Sequence, residues 1–94
     1  MDIKKGDVIL STAGRDRGTV MVVMDTRGTD YVLVADGTIR KASRPKLKKT
    51  KHVAKLDLTS SVICDRMECN EKIPNALLKR EIKRLNKEFQ EDDY

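Results

Sequence analysis

A small antiparallel β-barrel with a C-terminal helical appendage is what this sequence predicts. Three observations predict it. All five glycines lie before residue 40. The β-type apolar runs are short, closely spaced and bounded by turn residues. The apolar period then lengthens to that of a helix in the last third. With 94 residues the chain is one small domain, with a modest core.

Val8-Ile9-Leu10 is the first strand. Val20-Met21-Val22-Val23-Met24 is the strongest one. Val20, Val22 and Met24 point one way and Met21 and Val23 the other, so both faces should be covered. Arg27-Gly28-Thr29-Asp30 turns the chain into the third strand, Tyr31–Ala35. Asp36-Gly37 reads as a two-residue hairpin leading to Thr38-Ile39-Arg40. Pro45 sets its predecessor extended, and Arg44–Lys51 has no helical period, so it reads as an extended loop. His52–Leu58 alternates and is expected to be a last strand that closes the barrel. Thr59-Ser60-Ser61 offers N-caps for a short helix over 62–69, which Asn70 or its successors end. Asn75 is the next N-cap. From there Leu78, Ile82, Leu85 and Phe89 form one helical stripe. Glu81–Arg84 and Arg84–Glu88 are helix-surface ion-pair spacings. The division is therefore a barrel over 1–58 with a basic loop at 40–51, and a helical extension over 59–94 packed on it.

Charge is the most informative number. The formal net charge is +5. Residues 1–39 sum to −1 and residues 56–94 to −2. Residues 40–55 hold eight Lys/Arg and no acid. An acid-free block of this kind is a footprint for polyanions, most often nucleic acid.

Catalytic and metal chemistry find little material. Cys64 and Cys69 have no second cysteine pair near them, and the one histidine, His52, is distant in sequence. Zinc is not expected, and the thiols read as reduced and cytosolic. Asp65, Glu68 and Glu71 alternate with Arg66 and Lys72, which suits a solvated face better than an acid/base cluster. Nothing marks a nucleophile, and no phosphate-cradling GxxxxGK[ST] occurs. With two Tyr, one Phe and no Trp, an aromatic cage for methyl-lysine is not available. No apolar run approaches the roughly 18 residues of a membrane helix. The start, Met-Asp-Ile-Lys-Lys-Gly-Asp, has no apolar stretch after its charges and does not read as a signal peptide.

The loop Ala13-Gly14-Arg15-Asp16-Arg17-Gly18 joins the first two strands, its arginines offering planar forks suited to phosphate. The stretch Lys5–Val20 resembles a KOW motif. Its continuation, Tyr31–Lys41 and Arg44–His52, is similar to the small bacterial KOW-domain RNA-binding proteins. These in turn resemble large-subunit ribosomal proteins of the archaeal and eukaryotic fourteen-e type. The resemblance covers residues 5–55 well. It departs after Gly18, where many such motifs carry a further glycine and this chain has Thr19-Val20-Met21. It implies an SH3-like barrel, RNA binding and a ribosomal setting.

The expectation is a non-catalytic, cytoplasmic RNA-binding protein of the translation machinery, monomeric when free, with no cofactor and no membrane contact. Ribosomal RNA is its expected partner, and ribosomal proteins a further one. Arg15, Arg17, Arg40, Lys41, Arg44, Lys46, Lys48, Lys49 and Lys51 are the candidate RNA-binding residues. Stacking needs exposed aromatics. Phe89 belongs to the stripe and Tyr31 reads mainly as barrel cover, so phosphate contacts to folded RNA should dominate. The alternative is a protein-interaction module of translation or transcription, docking through the barrel or the C-terminal helix.

Overall fold

The computed structural model describes residues 2–91, with side chains through Lys87. Five strands form one antiparallel sheet: β1 (Asp7–Ser11), β2 (Val20–Arg27), β3 (Tyr31–Ala35), β4 (Lys46–Lys49) and β5 (Val53–Thr59). Their order is β4-β3-β2-β1-β5. Two helices follow, α1 (Ser61–Glu68) and α2 (Asn75–Glu91).

Each face of the sheet carries its own core, as the double parity of β2 requires. Ile9, Met21, Val23, Val32, Val34 and Val53 form one, each no more than 4% exposed, with Ile3 against it. Among the described residues no helix side chain joins that core, so the sheet must bend over it. The connectivity demands the same. β4 and β5 are opposite edges, yet only a single 3₁₀ turn, Thr50–His52, joins them. In a flat five-stranded sheet those edges would stand about 19 Å apart. Four residue steps reach at most about 14 Å. Bulges supply the bend. One lies in β2 between Val23 and Asp25 and another between β1 and β5, where Asp57 takes φ 55°.

The sheet curls but does not close. β5 pairs with β1 and not with β4, so the expected closing strand is instead the second edge. Two further expectations are corrected. Thr38–Arg40 is not a strand. Asp36 Oδ1 accepts the amides of Thr38 and Arg40, both at 2.9 Å, so the aspartate takes the role of a strand partner. Gly37 has φ +82°, and a Cβ there would lie 2.5 Å from the Asn75 carbonyl oxygen. Its glycine admits the helix end. Nor is the basic segment wholly a loop. Lys46–Lys49 pairs with β3 in the register Val34↔Lys46, Leu33↔Leu47, Val32↔Lys48 and Tyr31↔Lys49.

The second core holds Val8, Val22 and Ala35 of the sheet with Ile63, Leu77, Leu78 and Leu85 of the helices. Ser60 caps α1, its hydroxyl accepting from the Ile63 amide at 3.2 Å. Asn70, at φ 54°, ends it: the Glu71 amide reaches the Arg66 carbonyl and the Asn70 amide the Met67 carbonyl. The α2 stripe docks through Leu78 and Leu85, with Ile82 half-buried. Phe89, and Glu88 of the Arg84–Glu88 spacing, fall outside the described side chains. Glu81 is buried, not on the surface, and accepts from Ser60 Oγ at 2.8 Å and Arg84 at 3.0 Å. Asn75 does not cap its own helix; its side-chain oxygen accepts the Ala42 amide at 2.7 Å.

Candidate nucleic-acid interface

The basic segment lies along a sheet edge, and pleating divides its lysines between two faces. Lys46 and Lys48 share the parity of their partners Val34 and Val32, which belong to the helix-free core. They therefore point inward. Leu47 and Lys49 point outward, and both are exposed.

An inward lysine needs a partner. It comes from the β1–β2 loop, on the far side of the sheet order. Asp16 accepts from Lys48 at 2.8 Å and from Lys46 at 3.1 Å. Ser11 Oγ donates to the same carboxylate at 2.8 Å. Lys48 also donates to the Ala13 carbonyl at 2.9 Å and is only 6% exposed. Burial by itself would raise the Asp16 pKa. The hydrogen bonds from Lys48, Ser11 and Lys46 outweigh it and hold the carboxyl far below the usual carboxylate range. The cluster ties the loop to β4 across the opening of the curled sheet, where no strand pairing exists. It also turns charge inward on an edge strand, which hinders edge-to-edge pairing.

The nine candidate residues therefore separate. Lys48 is a buried structural cation, and Lys46 is partly covered in the same cluster. Arg15, Arg17, Arg40, Lys41, Arg44, Lys49 and Lys51 are all exposed and form no ion pair among the described residues. Arg15 and Arg17 flank Asp16, so the clamp that neutralises two lysines brings two arginines beside the basic segment. Gly14 permits this tight loop at φ +87°. Lys55, the eighth cation of the block, lies 3.6 Å from the buried Asp7 carboxylate.

Two residues gained a role that the sequence reading missed. Asp16 stands in the β1–β2 loop between Arg15 and Arg17, with no role expected for it. Its signal was an acid between two glycines, with two lysines at i and i+2 waiting for a charge partner. Tyr31 does not cover the helix-free core; it stands on the opposite face, 37% exposed, across from Lys49. The parity of Tyr31 against Val32 and Val34 carried that information.

Elsewhere, burial pushes the Cys64 thiol up, and the nearby Asp7, Asp65 and Glu68 charges add to this. A thiol so placed is a poor nucleophile. Among the described residues no group of His, Cys, Asp and Glu could hold a metal ion. No helix there is long and apolar enough to cross a membrane. Compared with known proteins, the chain matches no family model and no curated sequence.

Proposed function

We propose that this chain is a non-catalytic RNA-binding module of the SH3-like barrel type that docks on folded RNA through phosphate contacts. The observation that carries the reading is that seven of the nine candidate cations are exposed and form no ion pair among the described residues, distributed over the β1–β2 loop, the 40–44 loop, the outer side of β4 and the 3₁₀ turn that follows it. Partnered surface cations have already spent their charge; these have not. Their long side chains suit phosphates spaced along an RNA backbone. The KOW-like stretch over 5–55 supports the same reading and adds the ribosome, with ribosomal RNA as the ligand in the cytoplasm.

The protein-docking alternative is weaker in its helical form. It asks for a free α2 stripe, and Leu78 and Leu85 are already buried against the sheet. Sedimentation of a cell lysate on a gradient tests the ribosomal placement. The protein should travel with ribosomal particles at low salt and be released by a high-salt wash. A protein that stays at the top of the gradient in low salt has no such placement.

A further inference from the structure

Tyr31 and the two lysines next to it are not explained by phosphate binding alone. Tyr31 begins β3 on the face away from the helix-free core, and among the described residues its side chain has no hydrogen-bond partner. Beside it is a hollow of about 270 Å³ lined by Asp30, Tyr31, Lys49, Thr50 and Lys51. Its wall is fixed. The Thr50 amide donates to the Asp30 carbonyl at 2.8 Å. The Thr50 hydroxyl lies 3.1 Å from the Thr29 carbonyl and 3.2 Å from that of Asp30. These bonds pin the β2–β3 turn to the end of β4.

We infer that this hollow seats one unpaired nucleobase, stacked on Tyr31, with Lys49 and Lys51 on the flanking phosphates. The inference rests on the RNA-binding reading and names the class of RNA: a folded strand with an unpaired base, not an uninterrupted duplex. The volume falls just below the roughly 300–1,000 Å³ of pockets for larger ligands, so one planar ring system suits it. An exposed aromatic beside two unpaired cations is the combination that single-stranded segments use, a π-face for the base and charge for the backbone. Asp30, the one acid lining the hollow, disfavours a phosphate inside it and suits the amino edge of a base. A protein ligand fits less well, because it would need acidic groups for Lys49 and Lys51 and an apolar group for Tyr31 within one small hollow.

Two RNA hairpins provide the test, one fully paired and one identical except for a single bulged nucleotide. The wild-type chain should bind the bulged hairpin more tightly. Tyr31→Ala should weaken that binding by between about 5- and 150-fold, the usual worth of one stacked base. Binding to the paired hairpin and the salt slope should change little. Tyr31→Phe should retain the preference, since the ring is kept. Tyr31→Leu, which preserves strand-compatible apolar bulk, should lose it, and a thermal melt checks that each variant is folded. The Tyr31 ring protons should also shift upfield on addition of the bulged RNA. If Tyr31→Ala and Tyr31→Leu bind both hairpins like wild type while Lys41→Gln with Arg44→Gln weakens both, the base seat is wrong and the RNA reading stands. If the wild-type chain binds neither hairpin, both fall.

Discussion

Asp16 accepts hydrogen bonds from Lys46, Lys48 and Ser11, and that sets what its loss should do. Asp16→Asn would leave the Lys48 ammonium buried without its counter-charge. Breaking a buried pair in this way costs about 3–5 kcal/mol, so urea denaturation at neutral pH should show a loss in that range. The pH dependence has a definite sign. The folded pKa of Asp16 is depressed, so its contribution is present above the unfolded value near 4 and is lost as pH falls from there toward the folded value. The stability gap between wild type and Asp16→Asn should therefore shrink in acid below about pH 4. A gap that stays constant to pH 2 would mean that the clamp does not depend on the Asp16 charge. Sequence made the cations of this cluster visible and hid their partner, because an ion pair across 30 or 32 residues has no local period.

The elements differ in how openly the sequence displayed them. β1, β2, β3 and β5 were legible because their apolar side chains are what the two cores bury. α1 was legible through Ser60 and Asn70, which act by local hydrogen bonding. β4 was not. Lys46-Leu47-Lys48-Lys49 has neither strand composition nor apolar alternation, and pairing with β3 is what makes it a strand. The Asp36-Gly37 signal misled for a related reason: Gly37 is needed for the approach of α2, a tertiary demand that no turn preference reports. In α2 the stripe was right through Leu78, Ile82 and Leu85 and its edge was not, since buried Leu77 and Glu81 widen the docked face. A direct outcome follows for the helix. Leu78→Ala should destabilise by about 2–5 kcal/mol, and half-buried Ile82→Ala by no more than about 2 kcal/mol. Chemical denaturation of the two variants checks the order. Equal, negligible losses would mean that α2 does not dock in solution.

Over the whole molecule, curling brings opposite sheet edges together and places the β1–β2 loop beside β4. Lys46 and Lys48, far from Asp16 in sequence, thereby become its neighbours, and the arginines on either side of Asp16 come with the loop to the same edge. The +8 segment was visible at once in the sequence, but its division into structural and free charge was not, because that depends on strand parity. This division separates two sets of variants. Lys46→Gln with Lys48→Gln removes the charged partners of Asp16 and should lower the melting temperature. Arg44→Gln with Lys49→Gln and Lys51→Gln touches no ion pair and should leave it within a few degrees, exposed charges contributing little to folding.

The most direct measurement is the affinity of wild type and of that second variant for a structured ribosomal RNA fragment across a series of salt concentrations. If about half of the seven exposed candidate cations meet phosphates at once, log affinity against log salt should be linear for the wild-type chain, with a slope of about −2.5 to −3. The Arg44/Lys49/Lys51 variant should bind more weakly, with a slope shallower by about one unit for each phosphate contact removed. An unchanged affinity and slope in a folded variant would contradict the assignment of these residues to an RNA-binding face.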